Sequence, residues 1–203
     1  MSGPGDDPRV KIEARETAYD GFSRLETLAL RHQTHDGGWT PVLKRELIER
    51  GRTAAVLPYD PDRDAVVLVE QFRIGAHGAG MDPWLVEAVA GVIEDGETAD
   101  DVARREAVEE AGCELGELIG IGTFMLTPGV CSEACTMFCG RVDSRGKGGV
   151  HGLAEEDEDI LVHVVPAGDA IARALAGEVP SAYGAIPLMW LASNRDTLRE
   201  RWR

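Results

Sequence analysis

The spacing of apolar and polar residues divides the chain into short strands and three helices. Strand-like stretches cover residues 9–15, 21–30 and 42–48. Phe22, Leu28 and Leu30 fall at even spacing, as one half-buried face of a strand requires. His35-Asp36-Gly37-Gly38, between the last two stretches, suits a hairpin turn. From Arg52 the pattern changes. Residues 53–57 and 65–72 read as strands around a turn at Tyr59-Asp60-Pro61-Asp62. Ala65-Val66-Val67-Leu68-Val69 is almost unbroken apolar, which predicts a strand buried on both faces. A further apolar run, 84–93, ends in the turn Glu94-Asp95-Gly96.

A helix over Ala99–Ala111 is bounded at both ends. Thr98 is a good N-cap with Asp101 three residues on, and Gly112 stops the helix as a C′ residue. Strands are expected at about 117–126, 134–142 and 160–165, and helices over 167–177 and 185–201. Strands and helices mix without strict βαβ alternation. The fold class is therefore α/β in the broad sense, more strictly α+β: a mixed β-sheet sandwiched between helices. Residues 1–50 are expected to form a small N-terminal antiparallel β unit, and 51–203 the main domain.

Charge narrows the function. Lys and Arg number 21 against 36 Asp and Glu, a formal charge of −15. Such a surface repels a phosphate backbone and argues against nucleic acid as a partner. A small phosphorylated ligand stays open, provided cations stand between carboxylates and phosphates. The acids are dense at 94–110 and 155–159. No stretch approaches the roughly 20 apolar residues of a membrane helix, and MSGPGDDPRVK has no secretory pattern, so a soluble, cytoplasmic protein without membrane partners is expected. Cys131, Cys135 and Cys139 recur every four residues and Cys113 stands apart; the spacing does not match zinc sites and reads as small reduced residues in a packed strand.

On the helix, Glu106, Glu109 and Glu110 sit at i, i+3 and i+4, so three carboxylates share one face in the half where the macrodipole prefers cations. Alone, the triplet fits a solvated acidic face as well as a divalent-cation site. The residues before it decide. Gly91-Val92-Ile93-Glu94-Asp95-Gly96-Glu97, seven residues, then Arg105-Glu106-Ala107-Val108-Glu109-Glu110-Ala111-Gly112-Cys113 fill every fixed position of the Nudix box, with Ala107 and Cys113 small for their hydrophobic slots. The chain thus resembles the Nudix hydrolase superfamily. Glu87-Ala88-Val89-Ala90-Gly91 and Pro128, 16 residues after Gly112, resemble markers of its bacterial ADP-ribose pyrophosphatases. Ala14-Arg15-Glu16-Thr17, Ile48-Glu49-Arg50-Gly51, Glu70-Gln71-Phe72-Arg73 and His151-Gly152-Leu153-Ala154 extend the likeness over nearly the whole chain.

The resemblance implies the Nudix fold and a pyrophosphohydrolase that cleaves ADP-ribose to AMP and ribose 5-phosphate with Mg²⁺, or Mn²⁺ in its place, two to three ions per site. It implies metal binding by the Ala90 carbonyl, Glu106, Glu109, Glu110 and Glu158, with Glu156 on a later loop as general base. Glu158 or Glu133 stands next for that role. Gly91, Glu97 and Gly112 shape the box, and Glu97 reaches back to Arg105 to hold the loop on the helix. Arg73 is implied to contact the diphosphate, Phe22, Arg45 and Glu46 the adenine end, and Glu133 the substrate near the terminal ribose. Val130-Cys131-Ser132 departs from the usual second glycine and polar residue before Glu133, which leaves another nucleoside diphosphate sugar, GDP-mannose or ADP-glucose, as an alternative substrate. A homodimer with swapped N-terminal strands is implied as well. A non-catalytic ADP-ribose sensor is a further alternative, against which the complete box and the acidic chain both argue.

Overall fold

The computed structural model describes residues 7–153 and 157–202. They fall into two compact units, one of residues up to Gly51 together with Met125–Ala134, the other of Arg52–Phe124 and Cys135–Arg203.

In the first unit, β1 (Val10–Asp20), β2 (Arg24–His32) and β3 (Leu43–Glu49) form an antiparallel sheet in that order. The central strand buries Glu26 and Leu28, and every residue of β1 is exposed. β1 runs five residues beyond the predicted stretch because ladder bonds to β2, with two register shifts, continue through Glu16-Thr17-Ala18-Tyr19-Asp20, where no apolar pattern marks a strand. The hairpin turn forms where expected: Thr34 N–H donates to Gly38 O at 2.9 Å, and Gly37 takes a φ of +86° that only glycine adopts freely. Segment 125–134 joins this unit through β3, where Ile48 N–H donates to Val130 O (2.8 Å) and Ser132 N–H to Ile48 O (3.0 Å).

The second unit is built on an eight-stranded sheet. Its path is β10 (Gly149–His151), β11 (Ile160–Pro166), β5 (Ala65–Phe72), β4 (Arg52–Asp60), β9 (Ala134–Arg141) and β8 (Leu118–Met125); β6 (Trp84–Glu87) pairs with β5 and β7 (Val89–Val92) with β4. β4 and β5 are buried on both faces, as the apolar run predicts, and their alternation feeds two cores. Val56, Val67 and Val69 pack with Ala103, Ala107 and Ala111 of α2 (Ala99–Ala111). Leu57, Tyr59, Val66 and Leu68 pack with α3 (Ala167–Leu175) and α4 (Ala182–Arg201). Period-two alternation with both sets apolar is what a sheet covered by helices on each side demands. The mixed α+β layer arrangement agrees with the expected class.

Helix α2 has the expected limits. Thr98 Oγ1 accepts from Asp101 N–H while Asp101 accepts from Thr98 N–H, a reciprocal capping box, and Gly112 closes the helix at φ +59°. Elsewhere the structure moves boundaries. The run 84–93 breaks at Ala88 into β6, paired with β5, and β7, paired with β4. The turn after β4 lies two residues later than predicted, because Tyr59 and buried Asp60 stay in the strand and Asp60 accepts N–H bonds from Asp62 and Arg63. Helix α4 begins at Ala182 rather than 185, capped by Ser181, with Pro187 accommodated inside. A one-turn helix, α1 (Ile74–Gly78), and β10 carry no periodic signal and escape sequence reading. Cys135 and Cys139 are buried on one face of β9; Cys131 precedes that strand in the first unit.

Candidate active site

Strand β7 and the second half of α2 lie side by side, and the contact is close because of Gly91. A Cβ built there would stand 1.8 Å from Glu106 Oε1. Only a glycine lets the carboxylate lie against the strand. One helical turn on, Glu110 is buried and its Oε2 accepts from Ala90 N–H at 3.1 Å, while Gln71 Nε2 approaches its Oε1 at 3.3 Å. Glu106 and Glu110 therefore both flank the Ala90-Gly91 backbone.

Glu109 pairs with Arg105. The Arg105 guanidinium gathers the outer acids: Nε donates to Glu97 (3.1 Å), and Nη1 donates to Glu106 (2.8 Å) and Glu109 (3.0 Å). Glu97 in turn accepts from Glu94 N–H at 3.0 Å, which ties the box loop to the helix. The helix C-terminus, crowded with acid, gains a compensating cation where Lys147 Nζ donates to Gly112 O at 2.6 Å. His151 packs over Gly112 so closely that a Cβ would lie 2.9 Å from its ring.

The electrostatics separate inner from outer acids. Burial pushes the Glu110 carboxyl up to about 8, with the nearby Glu106 charge adding to it and the Ala90 N–H, Gln71 and Arg73 opposing. Burial likewise raises Glu106 to about 7 despite Arg105, and the charges of Glu109 and Glu158 contribute. Glu97, held by Arg105, lies below its ordinary value. Two inner carboxylates are thus costly to ionise as they stand.

Arg73 closes β5 and starts α1. Its Nε–H donates to Glu87 Oε2 at 2.7 Å. Glu87, at the end of β6, is buried and also accepts from Ser181 Oγ. Tyr183, in the first turn of α4, hydrogen-bonds Thr53, which pairs with Val92 across β4 and β7. Gln71 and Glu87 stand in segments that carry the resemblance, but it assigns neither a role, and Ser181 carries no mark in the sequence at all. Alternation along β5 supplies a signal for Gln71, which shares the α2-facing side with Val67 and Val69.

Glu156 falls outside the described residues. Glu158 accepts from Leu153 N–H at 3.1 Å, and Gly152 packs against it. Phe22, Arg45, Glu46 and Glu133 belong to the first unit. There Phe22 is 90% exposed with the Arg50 guanidinium 5.2 Å over its ring, and Arg45 and Glu46 are successive exposed residues of β3. Among the described residues no three His, Cys, Asp or Glu side chains are gathered tightly enough to hold a metal as they stand. Nor is any helix among them long and apolar enough to cross a membrane.

Comparison with known proteins agrees with this geometry. Residues 49–184 match the model of the NUDIX domain family. The chain is 44% identical over 193 residues to the ADP-ribose pyrophosphatase of Escherichia coli strain K12, covering 95% of this chain and 92% of that protein. It is 40% identical over 197 residues to the ADP-ribose pyrophosphatase of Haemophilus influenzae, covering 96% and 91%. The GDP-mannose pyrophosphatase of Citrobacter koseri is more distant, 32% identical over 152 residues, 74% of this chain and 78% of that protein. The complete box on β7 and α2, with a family match over most of the chain, leaves one assignment: the chain belongs to the NUDIX domain family.

Proposed function

We propose that this protein is a divalent-metal-dependent hydrolase that cleaves ADP-ribose to AMP and ribose 5-phosphate. The observation that carries the reading is the pair of inner carboxylates, Glu106 and Glu110, one turn apart against the Ala90-Gly91 backbone and raised by burial to about 7 and 8. The residues fit a hard cation: the donors are carboxylate oxygens, and a positive ion would remove the cost of ionising both. Glu106, Glu110, Glu109 and the Ala90 carbonyl would hold the metal, with Glu158 joining from its loop. When bound, Mg²⁺ or Mn²⁺ neutralises the diphosphate and lowers the pKa of the attacking water; two to three ions suit the donor set.

The chain's own residues do the rest. Arg105 holds Glu97, Glu106 and Glu109 in register, so the box loop and helix act as one body. Arg73 offers its guanidinium to the diphosphate oxygens, a planar match for such groups. Glu156 takes the proton from the attacking water. Phe22, Arg45 and Glu46 hold the adenine end and Glu133 the terminal ribose, within a cytoplasmic homodimer that exchanges N-terminal strands. The relatives at 40–44% identity carry the name ADP-ribose pyrophosphatase, which favours ADP-ribose over GDP-mannose.

Product analysis with Mg²⁺ and a panel of nucleoside diphosphate sugars tests this directly. Selective release of AMP and ribose 5-phosphate, lost in Glu110→Gln, is expected. Faster cleavage of GDP-mannose would keep the chemistry and replace the substrate. Binding of ADP-ribose without cleavage would make the protein a sensor.

A further inference from the structure

Glu87 has no part in the reading above, yet its setting is unusual for a carboxylate. It is 3% exposed and lies at the end of β6, immediately ahead of the strand that carries Ala90 and Gly91. A buried carboxylate is costly unless it is paired and hydrogen-bonded. Both of its oxygens are engaged: Oε2 accepts from Arg73 Nε at 2.7 Å and Oε1 from Ser181 Oγ.

Each partner is itself fixed. Arg73 N–H donates to Pro83 O at 2.7 Å, and Arg73 O accepts from Ala76 N–H at 3.1 Å, so the backbone at the end of β5 has little freedom. Ser181 is the N-cap of α4 and accepts from Tyr183 N–H at 3.2 Å. The first turn of α4 is seated hard on β6, since a Cβ on Gly184 would come within 2.9 Å of Val86 O. Glu87 therefore has one place to be.

The mode of pairing matters more than the pairing. A tie between β6 and α4 needs only Glu87 and Ser181. An ion pair built for stability alone would take Arg73 through two parallel bonds to both oxygens, as Arg195 takes Asp64. Instead Glu87 takes the Nε–H, and among the described residues no hydrogen bond takes either Nη group. The Arg73 side chain is 38% exposed, so part of it stays open to solvent while its Nε is held by the buried carboxylate. The charge it carries is felt at Glu110, on the neighbouring helix.

We propose that Glu87 is a positioning residue: it grips Arg73 by Nε, anchored from behind by Ser181, and so presents both Nη groups to the diphosphate of the substrate. This rests on the reading of Arg73 as a diphosphate ligand. Glu87 touches neither substrate nor metal and acts through Arg73 alone.

A double-mutant cycle on KM and kcat for ADP-ribose, with Mn²⁺ binding followed by electron paramagnetic resonance, tests it. Glu87→Ala should raise KM about tenfold with a smaller loss in kcat and unchanged Mn²⁺ affinity. Glu87→Gln keeps an acceptor for Nε–H and should restore KM to within about threefold of wild type. On an Arg73→Ala background neither substitution should raise KM further. Equal KM penalties with and without Arg73, or a loss of Mn²⁺ binding in either Glu87 variant, would overturn the proposal and leave Glu87 a part of the fold. If Glu87→Ala does not fold, the cycle with Glu87→Gln alone decides, since its smaller KM rise must vanish once Arg73 is gone. An Arg73→Ala protein with wild-type kinetics would refute the diphosphate role of Arg73, a separate and distinguishable failure.

Discussion

Two groups of sheltered acids in the second unit live in opposite surroundings. Asp60 and Asp64 flank the turn between β4 and β5. Burial works against Asp60, but bonds from Ser144 Oγ (2.7 Å), Ser144 N–H, Arg63 N–H and Asp62 N–H outweigh it and hold its pKa low. Asp64 is held low chiefly by Arg195, which donates to both of its oxygens, with Tyr59 Oη at 2.8 Å and Arg199 beside it. Glu106 and Glu110 are pushed the other way, because burial there is not offset by enough donors or cations. Saturated carboxylates lock a turn. Under-compensated ones mark a place built for a positive charge.

Replacing Glu110 should break the contrast most sharply. Glu110→Gln should lower kcat/KM about a thousandfold while raising the melting temperature in chelator at pH 8, because it removes a charge the fold pays to bury. Loss of both activity and stability would place Glu110 with the Asp64 type. The pH dependence of the metal-free protein has a definite sign. A carboxyl raised from 4.5 toward 7 or 8 stabilises the fold fully below its unfolded value and loses that contribution as pH climbs through the folded one. Stability in chelator should thus fall between pH 5 and 8 by on the order of 2 kcal/mol, mostly through Glu110 because Glu106 is partly hydrated, and saturating Mg²⁺ should flatten the slope in calorimetry. Asp60 and Asp64 contribute with the reverse sign, at full strength above 3.8 and lost as acid protonates them.

Smaller effects sharpen the same division. Arg195→Ala should cost about 2 kcal/mol in urea unfolding and leave kcat/KM unaltered, since it uncouples Asp64 and touches nothing on α2. Arg105→Ala should reduce kcat/KM about tenfold through misplacement of the Glu97 loop, with little change in unfolding; normal kinetics would show that Glu97 holds the loop unaided.

The sequence carried the local parts of this arrangement further than the distant ones. The limits of α2, its capping box and its αL glycine are written in residues within a few positions of each other, as is the contact of Glu97 with Arg105. The double burial of β4 and β5 is equally legible from their apolar runs. Glu87 with Ser181, or Asp64 with Arg195, joins residues 94 and 131 positions apart. No periodicity encodes such pairs, because either member alone is an ordinary polar residue at a strand end or a helix cap. Gly91 is intermediate: its place in the box is plain, but the reason for it is the Glu106 carboxylate, visible only once β7 lies on α2.

The union of Ser181 with Glu87 has a consequence for a chain still being made. The carboxylate that steadies Arg73 emerges first, and the serine that anchors it follows 94 residues later. At about 5–20 residues per second that is a delay of roughly 5–19 s, during which Glu87 lacks one of its two donors. A nascent chain stopped between Glu158 and Ser181 would own every glutamate of the site and still lack the support behind its arginine.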